Sequence, residues 1–195
     1  MKVITTLIIC LFISTQVKAQ SEEAMVESQQ KETVFYKKKM VPKGEVFVEE
    51  APVFFTQSIL IHAPVEKIWD IIDDTPNFTK WFPGLLMGKM VDPSNKGLGA
   101  RRIAETKNFN YYEEVIAYEK YKKWGFTMIE SNSGAFKSIT EMLYFKAVDA
   151  NTTEVIYKGG YEPKGIFKLM KGIIAKNVIK AWDAALVSLK EYAEG

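Results

Sequence analysis

Two side chains that often build catalytic and metal centres are nearly missing from this sequence. Its 195 residues include one cysteine, Cys10, and one histidine, His62. Zinc and other transition metals draw on thiolate and imidazole ligands, so a metal site is not expected, and no cofactor is called for. A Ser-His-acid triad would depend on His62 alone. By strand alternation His62 shares a face with Ser58 and Leu60, opposite Ile59 and Ile61, and points to solvent. Glycine-rich phosphate loops are lacking as well. Gly97-Leu98-Gly99 has no third glycine and opens a strand rather than a helix, so it reads as a turn.

Membrane-spanning runs of about 20 apolar residues are also absent. The apolar stretch Val3 to Ile13 is too short. With Lys2 before it and Val17-Lys18-Ala19 after it, it reads as a secretory signal peptide, residues 1–19, cut after Ala19. The expected mature protein is secreted or periplasmic, with no stable membrane insertion. Cleavage removes Cys10, leaving no disulfide and no thiolate nucleophile. It also removes Lys2 and Lys18, leaving 24 basic residues against 24 acidic ones. A neutral chain is a poor match for a phosphate backbone, so no nucleic-acid partner is expected.

Next comes a charged, weakly periodic stretch, residues 20–52, read as a leader or linker. Its Lys37-Lys38-Lys39 run reads as a solvated patch. From residue 53 the patterning sharpens. Phe55, Ile59 and Ile61 alternate with polar neighbours as in a half-buried strand. Pro64 opens a helix carrying Val65, Ile68, Trp69 and Ile72 at helical spacing. Asp73-Asp74-Thr75-Pro76 ends it and starts a second short helix, with Thr75 as N-cap, that stops near Trp81-Phe82-Pro83-Gly84. Six strand-like segments separated by turns follow: 86–91, 99–106, 111–120, 124–130, 138–148 and 154–161. Short strands with tight turns and no helices between them imply an antiparallel meander. The last segment, Ile166 to Tyr192, carries an apolar stripe through Met170, Ile173, Ile174, Val178, Trp182, Leu186 and Leu189, and reads as one long helix with one buried face. The class is α+β, with about seven strands, two short helices after the first strand and a long C-terminal helix.

Four short stretches carry a family likeness: Ile61-His62-Ala63-Pro64-Val65-Glu66-Lys67-Ile68-Trp69, Trp81-Phe82-Pro83-Gly84, Gly97-Leu98-Gly99-Ala100-Arg101-Arg102, and Glu113-Glu114-Val115 followed by Tyr118-Glu119. Over residues 53–193 the sequence resembles the START-like (SRPBCC) superfamily, in its polyketide cyclase/dehydrase and lipid-transport branch. The resemblance implies a helix-grip, in which a curved antiparallel sheet wraps around the C-terminal helix and leaves a cavity. Relatives use that cavity for hydrophobic small molecules or lipids, and some are cyclases. Fold likeness does not choose among these.

Candidate site residues follow from alternation and chemistry. Glu113 and Glu114 face opposite sides of their strand. Glu114 shares its side with Tyr112, Ile116 and Tyr118 and is taken as the inward one. A carboxylate in an apolar pocket has a raised pKa and can move protons, which makes Glu114 the candidate acid or base. A structural pairing with Arg101 or Arg102 is the alternative. Trp81, Phe82, Tyr112, Trp124, Phe126, Tyr144, Tyr157 and Tyr161 are many aromatics for a small domain. With Glu114, Met170 and Ile174, all but Tyr161 form the candidate ligand wall. Three functions remain open: a carrier of a hydrophobic molecule, a cyclase/dehydratase-type enzyme using an inward Glu and tyrosines, and a membrane-surface or protein-interaction module.

Overall fold

The structure, a computed structural model, describes residues 38–195; the signal peptide expected over residues 1–19 and the expected leader as far as residue 37 lie outside the described residues. Strand β1 is Lys38–Lys39, and helix α1 is Phe47–Glu50. Then come β2 (Val53–Ile61), α2 (Val65–Asp73) and a 3₁₀ segment, Thr75–Lys80. Strands β3 (Leu85–Met90), β4 (Arg101–Thr106), β5 (Asn110–Glu119), β6 (Lys123–Ser131), β7 (Phe136–Asp149) and β8 (Thr152–Pro163) follow. A second 3₁₀ segment, Gly165–Met170, leads into α3, Lys171–Glu194.

The strands form one antiparallel sheet in the order β2-β8-β7-β6-β5-β4-β3, with β1 added beside β6. Consecutive strands from β3 to β8 are neighbours, as short turns require, and the crossover through α2 delivers β2 to the β8 edge. Trp69, Ile68 and Ile72 bury the apolar face of α2. The second short helix is 3₁₀ rather than α, its N-cap is Asp74 rather than Thr75, and Thr75 is itself buried. Its six residues suit a 3₁₀ turn, which is used in short pieces.

The C-terminal segment differs from the single helix expected over 166–192. Gly165 adopts φ +56°, a conformation that favours glycine, and a 3₁₀ segment fills residues 165–170 before α3 begins. The two halves of α3 also differ. Trp182, Ala185, Leu186, Leu189 and Ala193 are buried, while no residue before Trp182 is. The second half packs against β2 and the sheet, and the first half roofs a hollow.

Residues 38–52, assigned from the sequence to the charged leader, carry two elements packed on the sheet. Strands β6 and β7 pair from Lys123 with Tyr144 as far as Thr127 with Thr140. Beyond that they part, and the leader lies in the gap. Lys38 pairs with Ser131 and Lys39 with Glu130. The Met40 N–H donates to the Ile129 carbonyl at 2.9 Å and the Val41 N–H to the Lys137 carbonyl at 2.8 Å. Helix α1 then lies on the convex face, where Val48 joins Met142 and Ala117 in a small buried cluster. Gly160 makes that approach possible, since a Cβ there would lie 2.7 Å from the Val48 Cα.

Candidate functional site

Between the concave face of the sheet and the roof lies a cavity of about 470 Å³. That is within the roughly 300–1,000 Å³ of small-molecule sites. The 3₁₀ segment Thr75–Lys80 and the turn after it bring Phe78, Trp81 and Phe82 to its side. Alternate residues of β6 contribute Trp124, Phe126 and Met128, and alternate residues of β7 contribute Ile139, Glu141 and Leu143. The roof is Phe167, Met170, Ile173, Ile174 and Val178, with Asn177 among them.

The cavity's charged groups lie on the sheet floor, in two clusters. In the first, Arg102 pairs with Glu113 across β4 and β5, both side chains buried. The guanidinium also lies 4.2 Å from the Phe126 ring centroid, 4.5 Å from Trp124 and 4.9 Å from Phe78. Such stacking suits a planar, weakly hydrated cation. Arg102 Nη1 is buried and has no acceptor among the described residues. Burial pushes the Glu113 carboxyl up, while Arg102 pulls it back.

In the second cluster, Glu141 Oε1 accepts from the Tyr161 hydroxyl and, at 3.4 Å, from Trp182 Nε1. The Tyr157 and Tyr161 hydroxyls are 3.2 Å apart. Burial is the main reason the Glu141 carboxyl is pushed up to about 7, and the charge of Glu113 adds to it against the pull of the Tyr161, Tyr157 and Trp182 donors. Burial and the same carboxylate hold the Tyr157 and Tyr161 hydroxyls protonated well above their ordinary range. Glu141 is thus a carboxyl that changes protonation near neutrality inside an apolar chamber, which is what general acid–base chemistry needs.

Six of the ten sequence-derived wall residues line this cavity: Trp81, Phe82, Trp124, Phe126, Met170 and Ile174. Tyr157 is one layer behind, stacked on Trp182 at a centroid distance of 3.7 Å. Three point away. Tyr144 is on the convex side, donating to Glu45 Oε1 at 3.0 Å. Tyr112 and Glu114 lie on the outer face with Arg101, whose Nε is 3.3 Å from Glu114 Oε2.

The inward carboxylate of β5 is therefore Glu113, not Glu114. The cause is an irregularity in the pairing of β5 with β6 between Val115 and Ala117. Val115 is in the core, Ile116 and Ala117 both join the outer cluster, and Tyr118 returns to the core against Trp69. A bulge inserts one residue and flips the alternation, so counting back from Tyr118 assigns the wrong face to Glu114 and Tyr112. Arg102, Glu113, Glu141 and Tyr111 stand on the cavity wall without having been assigned to it from the sequence. The signal for Glu141 was one parity of β7, where Ile139, Leu143 and Phe145 surround a lone carboxylate. Its neighbours Met142 and Tyr144 on the other parity are also apolar and hid it. His62 is exposed, as alternation expects, and its backbone N–H donates to Glu194 Oε1 at 2.7 Å.

The sequence profile for polyketide cyclase / dehydrase and lipid transport matches residues 52–194. The chain belongs to that family. Its START-like fold recurs in solved structures of low identity. A START superfamily protein from Mycobacterium smegmatis is 10% identical, with a TM-score of 0.62, over 73% of this chain and 97% of that one. The Zhui aromatase/cyclase from Streptomyces is 11% identical, with a TM-score of 0.62, over 72% and 93%. An uncharacterised protein from Bacillus thuringiensis is 14% identical, with a TM-score of 0.59, over 72% and 98%. At such identities the likeness concerns the fold. No curated protein matches the chain. Among the described residues, no helix of this START-like chain is long and apolar enough to cross a membrane.

Proposed function

We propose that this protein is an exported carrier that holds one hydrophobic small molecule or lipid between its sheet and its C-terminal helix. The observation behind this reading is the 470 Å³ cavity with an apolar roof and aromatic sides, its charged groups confined to the floor. Apolar surface left unfilled by the protein's own side chains gains free energy when a ligand fills it, at roughly 25 cal/mol per Å² removed from water. The Arg102 Nη1 donor and the Glu141 carboxyl favour a ligand with one polar end. Export rests on the signal-like first 19 residues.

Native mass spectrometry of the purified protein, followed by solvent extraction, tests the carrier reading. A retained apolar molecule is expected. A protein that emerges empty and takes up no apolar probe contradicts it.

A second reading, an enzyme of cyclase or dehydratase type, is favoured by Glu141 with Tyr157 and Tyr161 beside it. It requires turnover that depends on a group titrating near neutrality and is lost in Glu141→Gln while folding is retained. Turnover that survives this substitution contradicts it.

A further inference from the structure

The 3₁₀ segment Gly165–Met170 has three residues per turn, so residues three apart stack into ridges. Phe167 and Met170 form one ridge and line the cavity. Ile166 and Leu169 form the second, and they stand in solvent at 71% and 88% exposure. Lys168 and Lys171 form the third, both exposed. Ile173, on the first turn of α3, is 58% exposed and also lines the cavity. Between Glu162 and Asp183 there is no acidic residue, while lysines stand at 164, 168, 171, 176 and 180. Among the described residues, none of these five forms an ion pair. Across the cavity mouth, in the β4–β5 turn, Phe109 lines the same cavity and is exposed, with Lys107 beside it.

A large exposed leucine next to an exposed isoleucine is costly in water and marks a contact surface. The lysines say what covers it. Among the described residues they lie around an apolar ridge with no counter-charge of their own, whereas Lys123, Lys137, Lys146, Lys158 and Lys190 each pair with a glutamate. An apolar ridge flanked by basic side chains fits a bilayer interface bearing anionic headgroups, with the ridge among the acyl chains and the ammoniums at headgroup depth. A protein groove of opposite charge would satisfy the lysines. It would not account for the continuity of this surface with the cavity mouth, where Phe167, Met170 and Ile173 face the interior.

We infer that the Gly165–Met170 segment and the first turns of α3 dock on an anionic membrane surface, so that a hydrophobic ligand passes between bilayer and cavity without crossing water. The inference rests on the carrier reading for its purpose, and its test is separate from that reading.

The test uses the chain from Gln20 onward, which carries every described element, and vesicles of phosphatidylglycerol mixed equally with phosphatidylcholine. Co-sedimentation of the wild type is expected, weakening with added salt, with little binding to phosphatidylcholine alone. Lys168→Gln/Lys171→Gln is expected to lower partitioning about thirtyfold. Ile166→Ser/Leu169→Ser is expected to lower it by about a hundredfold or more. Both double variants should still take up anilinonaphthalene sulfonate in lipid-free buffer as the wild type does, because none of the four residues lines the cavity. Val46→Ser, an exposed apolar residue preceding α1, should leave partitioning unchanged. Wild-type protein that ignores anionic vesicles overturns the inference and leaves a protein as the occupant of this surface. Equal loss in Val46→Ser overturns it too. Failure of probe uptake in the wild type counts against the carrier reading instead.

Discussion

Two arginine–glutamate pairs sit side by side across the same two strands. Arg101 faces Glu114 and Arg102 faces Glu113 in consecutive register positions of β4 and β5. The chemistry is the same, and the sides of the sheet differ. Arg101 is half exposed and its bond to Glu114 is 3.3 Å long. Arg102 and Glu113 are buried on the cavity floor among Phe78, Trp124 and Phe126. An exposed pair gains little because water already solvates both charges. A buried pair has lost that solvation, so each partner depends on the other. The convex face can lose a charge cheaply, and the concave face holds its charges in a chamber where they can act on a ligand.

Removing one inner partner separates the two pairs most sharply. Arg102→Ala strands the Glu113 carboxylate and should cost about 3–5 kcal/mol in urea unfolding. Replacing both partners by Arg102→Met/Glu113→Leu should recover most of that loss. If the single variant is no worse than Arg101→Ala, burial does not distinguish the pairs.

Glu141 carries the next effect. Its carboxyl binds a proton more tightly in the folded chain, at about 7, than at the ordinary 4.5. The folded state thus gains least where the carboxyl must ionise: stability falls as pH rises from 4.5 to about 7 and stays low above that. Glu141→Gln should flatten this part of the pH profile, a difference on the order of 3 kcal/mol by pH 8. Thermal melts of the ligand-free protein across that range check it, and parallel profiles for the two proteins would contradict it.

The two faces meet again at adjacent glycines of β8. Gly160→Ala pushes a methyl into the α1 backbone at Val48 and should cost about 1–3 kcal/mol, with hydrogen exchange rising in residues 38–50. Gly159→Ala points the other way, where its methyl would meet the Tyr157 hydroxyl at 2.7 Å. It should shift the pH midpoint assigned to Glu141 while leaving exchange in residues 38–50 unchanged. The smallest effect is at the outer pair, where Arg101→Ala or Glu114→Gln should change stability by less than about 1 kcal/mol.

Much of the fold was legible because its local signals agree. Alternation marked the strands to within a few residues, Pro64 and Asp74-Thr75-Pro76 marked the helices of the crossover, and the stripe ending at Leu189 marked α3. The errors share a cause, since each lay where a local pattern is interrupted by a contact distant in sequence. The bulge at Val115–Ala117 inverts the parity of β5, so Tyr112 and Glu114 went to the wrong face. Strand β1 reads as a charged leader because its partner is not its neighbour in sequence but the gap opened between β6 and β7. Glu141 hides in a strand whose two faces are both buried, one by the core and one by α1. Tyr144 looks like any core tyrosine until Glu45 of the supposed leader is seen to accept its hydroxyl.

Methyl NMR during titration with anilinonaphthalene sulfonate tests most directly that the concave side is a ligand chamber and the convex side is not. The signals of Met128, Ile139, Leu143 and Ile174 should move together with one saturable affinity, while Met142 and Val48 on the convex face stay in place. Probe-induced shifts at Met142 and Val48, with the cavity methyls unmoved, would contradict the account.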